Sequence, residues 1–156
     1  MSDCIARSAG EADVGVLAEL VRSCIAELRT QRGGELWAIT GARAEPVEDS
    51  LASAVSAAEV LVLCGDYVGV TVGYAVAVLV PTTDGRRIAR VTDLFTLPDA
   101  RHVGVGESMM DECVAWARMN HAVAIDAAVL PGTRDSKNFF EGFGLTAREL
   151  TVSLAL

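Results

Sequence analysis

Lysine is nearly missing from this chain: Lys137 is the only one, and arginine supplies the other basic residues. Positive charge is short altogether, with 13 basic against 21 acidic side chains and a net charge of −8. That balance argues against nonspecific binding to nucleic acid or to an anionic membrane surface, and leaves a cationic partner open. The preference for arginine reads as a compositional bias. Cys4, Cys24, Cys64 and Cys113 are scattered without CxxC spacing, and His102 and His121 do not fall near them in a ligand pattern. A zinc site or a disulfide framework is therefore not expected, and reduced buried thiols are. The longest apolar run, Val68 to Val80, is too short to cross a bilayer and is interrupted by Gly69 and Gly73. Met-Ser-Asp-Cys at the start carries no signal-peptide pattern, so a cytoplasmic location is expected. GxxxxGK[ST] is absent, and GxGxxG is incomplete because Met109 stands where its third glycine belongs. There is no internal repeat and no linker.

What is present is a globular composition, 51% apolar over 156 residues, enough for one domain spanning 1–156 with a real core. Ile5 to Arg7 reads as a short strand. Ser8 and Glu11 have capping-box spacing for a helix whose stripe is Leu17, Leu20, Val21, Cys24 and Leu28, stopped by Gly33-Gly34. A loop with Trp37 and Ile39 leads to a second helix opened by Pro46. Val60 to Cys64, Val68 to Val80 and Arg87 to Leu97 form an antiparallel meander, with its first turn at Gly65-Asp66 and its second around Asp84-Gly85. A helix follows to about Asn120. A strand over 122–130 pairs in parallel across that crossover. Ser136 to Gly142 is a short helix, and Leu150, Val152 and Leu154 alternate in a last strand. The fold class is α/β (α+β): a mixed, mostly antiparallel sheet with a central parallel pair, flanked by helices.

The stretch Thr92 to Gly106 joins a strand, a proline stop and the glycine loop Arg101-His102-Val103-Gly104-Val105-Gly106 to a helix start. The first amides of a helix lack intrahelical partners, and the helix dipole adds partial positive charge there. Glycines without Cβ let an anion approach the backbone closely. Strand, glycine loop and helix start together suit a phosphate.

Two stretches then carry a resemblance. Asp93 to Gly106 is similar to strand 4 and the [RQ]xxGx[GA] loop of the GCN5-related N-acetyltransferase (GNAT) family. Phe139-Phe140-Glu141-Gly142-Phe143-Gly144-Leu145 is similar to that family's FYExxGF block. The order of elements matches over nearly the whole chain. The resemblance implies acetyl-CoA as co-substrate, no metal, and direct attack of an amine on the thioester. It implies that Arg101, His102, Val103, Gly104, Val105 and Gly106, with Glu107 and Ser108 at the helix start, cradle the pyrophosphate. It implies that backbone groups of Phe95, Thr96 and Leu97 pair with the pantetheine arm, that Asn138 and Phe140 lie beside CoA, and that 33–46 walls the acceptor site. Glu107 departs from the small or basic residue usual after the second glycine, and Phe140 stands where tyrosine is common. The edge of the last strand offers a surface for a homodimer.

Amine acetylation needs a base for the amine, polarisation of the carbonyl and a proton for the thiolate. Asp93 is the first candidate base, because its strand approaches the thioester, and Asp126 on the parallel strand is the second. The resemblance implies that a tyrosine at position 140 would protonate the thiolate; with Phe140 there, the thiolate leaves unprotonated, or Ser136 or water supplies the proton, or turnover is lost. Two functions follow: an N-acetyltransferase acting on a small-molecule or peptide amine, or an acyl-CoA-binding sensor or interaction module with little turnover.

Overall fold

The structure is a computed structural model and describes residues 2–156. Five strands form one sheet in the order β1-β2-β3-β4-β5. They are β1 Cys4–Ser8, β2 Val60–Tyr67, β3 Val70–Pro81, β4 Arg87–Thr96 and β5 Ile125–Ala127. Neighbours are antiparallel except β4 and β5, which are parallel. The helices are α1 Val14–Arg29, α2 Gly34–Thr40, α3 Val47–Ser56, α4 Val105–Met119 and α5 Arg134–Gly142.

Both faces of the sheet are covered, which explains why β2 and β3 read as continuous apolar runs instead of alternating ones. Val62, Cys64, Tyr74 and Val76 pack with Leu17, Val21 and Cys24 of α1 and Val47 and Leu51 of α3. The residues alternating with them, Leu63, Ala75 and Ala77, pack on the opposite face with Val105, Met109, Met110 and Cys113 of α4. Val91 lies on the α4 face, but Phe95, four residues later, lies on the α1/α3 face. An unbroken strand would put both on one side. The reversal occurs at a bulge: Ala77 faces Val91 and Val76 faces Asp93, leaving Thr92 as the extra residue.

Several sequence expectations are corrected. The turn between β2 and β3 is at Val68-Gly69, where both residues have positive φ (48° and 79°), the geometry of a type I′ turn. Gly65 lies inside β2, because a Cβ there would sit 2.7 Å from Met109 Sδ and Val105 Cγ1. Its glycine answers the close approach of α4, not a turn. Ser8 ends β1 and caps nothing; Gly10 precedes the helical turn at 11–13, its amide donating to the Asp13 carboxylate at 2.8 Å. The stretch with Trp37 and Ile39 is helical, as α2. The parallel strand expected over 122–130 is only three residues long, because β4 bends away beyond Val91 and leaves 128–130 without a partner. The last strand does not form: 143–156 has no regular structure and pairs with no strand of the sheet.

Candidate active site

The parallel ladder runs Ala89–Ile125, Arg90–Asp126 and Val91–Ala127, then stops. The bulge at Thr92 follows at once. A bulge increases local twist, so the rest of β4 diverges from β5 and keeps a strand neighbour only on its β3 side. Leu97 donates its amide to Val72 of β3 at 2.9 Å. By the alternation of an antiparallel ladder, Phe95 and Leu97 turn their backbone groups to β3, while Leu94 and Thr96 turn theirs to the open side. Between Phe95, Thr96 and Leu97, Thr96 therefore presents free-edge groups. Its carbonyl accepts from Arg101 Nε at 2.9 Å.

Arg101 also donates Nη2 to Glu27 of α1 at 2.6 Å, and its guanidinium lies 5.6 Å from the Phe95 ring centroid. The side chain therefore braces α1 against the end of β4. Around it opens a cavity of about 290 Å³, lined by Glu27, Leu28 and Gln31 on one side and Thr133, Arg134 and Ser136 on the other.

Beyond Arg101 the chain turns through His102, at a positive φ of 65°, and Gly104, at 106°, into α4. His102 and Val103 are exposed, and Val105 is buried under the helix. No side chain caps the helix start, so the amides of its first turn have no side-chain acceptor. Glu107 is exposed in that turn. Ser108 faces β1, where its hydroxyl oxygen accepts the Ala6 amide at 3.0 Å. A Cβ on Gly106 would lie 3.3 Å from Phe139 Cε2, so this glycine admits an aromatic ring at the helix start. Phe139 is the loop neighbour that motif reading missed. The FYExxGF block contains it, but nothing in its spacing points to α4. Phe140 packs edge-on against Phe139 at 5.3 Å and is buried with Val91 and Met109. Asn138 is exposed on α5. Ser136 lies at the cavity wall, and Lys137 pairs with Glu141 at 2.8 Å.

Asp93 is turned by the bulge to the α1/α3 side. Its Oδ1 accepts from Arg43 Nη2 at 2.8 Å and Thr92 Oγ1 at 2.6 Å. Its Oδ2 accepts from Arg43 Nε at 3.3 Å and Tyr74 Oη at 3.2 Å. Four donors fill the lone pairs of one carboxylate. Arg43 and Tyr74 were not foreseen: Arg43 lies in a loop without periodicity, and Tyr74 sits in an apolar run. Burial, with the Asp93 charge beside it, raises the Tyr74 hydroxyl well above its ordinary pKa, so it stays a donor. Asp126 is held below the usual carboxylate range by hydrogen bonds from Arg148, with Arg90 also close. A carboxylate held down in this way is a weak base. Burial pushes the Cys24, Cys64 and Cys113 thiols up to about 12, which leaves them protonated and unreactive. Among the described residues no group of three or more His, Cys, Asp or Glu side chains is placed to hold a metal. No helix among them is long and apolar enough to cross a membrane.

The model of the Acetyltransferase (GNAT) family matches residues 25–145. No curated protein matches the chain. Among solved structures, a tetramutant of the BH1408 protein from Bacillus halodurans superposes with a TM-score of 0.82 at 21% identity, covering 97% of this chain and 99% of that one. A ribosomal-protein-alanine N-acetyltransferase from Brucella melitensis biovar Abortus gives 0.72 at 14%, over 98% and 99%. The aminoglycoside N-acetyltransferase AAC(6')-Iy, in complex with CoA, gives 0.74 at 14%, over 98% and 94%. At these identities the likeness is one of fold.

Proposed function

Since the chain belongs to the GNAT acetyltransferase family, we propose that it binds acetyl-CoA and transfers the acetyl group to an amine of a small molecule or peptide by direct attack on the thioester. The observation that carries this reading is the divergence of β4 from β5 after Val91, which leads an open strand edge into an uncapped helix start. The open edge at Leu94 and Thr96 suits the amides of a pantetheine arm. The loop from Arg101 to Gly106, with the first turn of α4, suits a pyrophosphate. Because Arg101 is already paired with Glu27, the backbone and not that guanidinium is the main phosphate ligand. The Ser108 hydroxyl, engaged with β1, adds little.

A backbone amide on the open edge polarises the thioester carbonyl. Asp93, expected as the base, has its lone pairs filled by Arg43, Thr92 and Tyr74 and none turned to an incoming amine. The course needing least rearrangement gives the amine proton to water and leaves Asp93 to hold Arg43 and Tyr74 beside the acceptor. Phe140 supplies no proton for the thiolate, so Ser136 at the cavity wall or water does so. General acid–base assistance is worth ~10²–10⁴-fold, so its weakness slows transfer without abolishing it. These same features, Phe140 and an engaged Asp93, favour a second reading: an acyl-CoA-binding module with little turnover.

Calorimetry with acetyl-CoA, followed by thiol release over an amine panel, separates the readings. Binding with acetylation of at least one amine is expected. Binding without any release would select the module, and no binding by folded protein would defeat both. Gly106→Val, checked for folding because of Phe139, should weaken binding at least tenfold.

A further inference from the structure

The cavity of about 290 Å³ between the end of α1 and the start of α5 lies outside the open edge of β4. Leu94 and Thr96 line none of it, nor do Gly104, Gly106 or Ser108 of the loop and helix start. Arg101 joins the two places: its Nε donates to the Thr96 carbonyl and its Nη2 to Glu27 Oε2. The pantetheine and pyrophosphate positions proposed above therefore leave this space unfilled. Its charged lining is balanced, Glu27 and Asp135 against Arg101 and Arg134, in a chain whose net charge is −8. Glu27 and Arg101 pair through Oε2, and Glu27 Oε1 accepts no hydrogen bond among the described residues. The Arg134 guanidinium forms no ion pair among them, although its neighbour Lys137 does. Arg134 opens α5, where positive charge opposes the helix dipole, so helix stability does not account for it. Asp135 beside it suits that dipole.

Resting on the acetyl transfer proposed above, we infer that this cavity takes an acceptor carrying an amine and a carboxylate together, a free α-amino acid. Its carboxylate lies on Arg134 and its ammonium on Glu27 Oε1. A guanidinium meets a carboxylate with two parallel hydrogen bonds. An amine without a carboxylate would leave Arg134 unpaired, and a dianion would meet Glu27 and Asp135. A zwitterion satisfies both signs of the lining. Size agrees: pockets for drug-sized ligands hold ~300–1,000 Å³, so a cavity of about 290 Å³ suits a smaller molecule. Glu27 is tied through Arg101 to Thr96, which brings the ammonium end toward the edge proposed for the pantetheine arm. In transfer the nitrogen bonds to the acetyl carbon as the C–S bond breaks. Of the two protons the ammonium sheds, one ends on the CoA sulfur and the other in water.

The test is thiol release from acetyl-CoA with the standard free amino acids, each beside its own carboxamide. At least one free amino acid is expected to be acetylated, with kcat/KM at least tenfold above that of its amide. Arg134→Gln, whose side chain is exposed, should raise KM for that amino acid at least tenfold and erase its advantage over the amide. Acetyl-CoA affinity by calorimetry should not change. Amides used as well as the free acids overturn the inference while acetyl transfer stands. Weaker acetyl-CoA binding by Arg134→Gln overturns it too, because the guanidinium then serves a CoA phosphate. If acetyl-CoA binds and no amine is acetylated, acetyl transfer fails, and calorimetry of free amino acids into the CoA complex reads the cavity by itself. Binding of an amino acid but not of its amide, lost in Arg134→Gln, sustains the site, and no binding overturns it.

Discussion

Asp93 accepts hydrogen bonds from Arg43, Tyr74 and Thr92, and Arg43 is itself largely buried. Removing the charge would leave a buried guanidinium without its counter-ion. Breaking such a pair costs about 3–5 kcal/mol. Asp93→Asn keeps a carbonyl acceptor, so a loss near 3 kcal/mol is expected in urea unfolding, with acetyl-CoA affinity unchanged. Full stability together with loss of acetylation would instead mark Asp93 as the base. Asp13 gives a pH-dependent counterpart. Hydrogen bonds from Arg7, and then from the Gly10 amide, hold its carboxyl at about 2. An unfolded aspartate titrates near 3.9. A depressed folded value means stability that is fully present above about pH 4 and lost as pH falls toward 2. Arg7 is partly solvated, so the stabilisation is screened to roughly 1 kcal/mol. The gap in unfolding free energy between wild type and Asp13→Asn, read from denaturant titrations, should be of that size at pH 7 and close between pH 4 and pH 2.

At the scale of elements, the bulge at Thr92 and the glycine at 65 set how β4 and α4 meet the sheet. Gly65 lets Met109 and Val105 rest directly on β2. Gly65→Ala puts a methyl where 2.7 Å separates the atoms. The flexible end of Met109 yields more readily than Val105 does, so a cost of about 1–3 kcal/mol is expected. Because α4 starts at the glycine loop, a shift of the helix should also weaken acetyl-CoA binding. Thermal unfolding and calorimetry on the same sample check both. A variant as stable as the wild type would mean that α4 is less tightly seated than these contacts require.

For the whole molecule, the net charge of −8 and the single lysine leave a surface short of positive charge. The proposed acceptor is therefore expected to be neutral or cationic, not a polyanion. A screen that pairs each amine with its phosphorylated counterpart should give faster turnover for the unphosphorylated one. A polyphosphorylated acceptor used in preference would refute the expectation. Raising ionic strength should slow a cationic acceptor and leave a neutral one unchanged.

The sequence by itself determined the class of fold, the meander, the crossover helix and the glycine loop. Each of those rests on local chemistry: periodicity along α1, the turn residues Asp84-Gly85, the sequence Leu97-Pro98 before Arg101, and glycines at a helix start. Tertiary structure decided what depends on neighbours far along the chain. Gly65 looks like a turn residue until α4 is laid upon it. Arg101 looks like a phosphate ligand until Glu27, seventy-four residues earlier, takes its Nη2. Asp93 looks like a free base until one bulged residue turns it toward Arg43 and Tyr74. The alternation from Leu150 to Leu156 reads as a strand, but no strand forms there, because a strand needs a hydrogen-bonding neighbour. Pairing is a property of two segments, and one segment's sequence cannot supply the other.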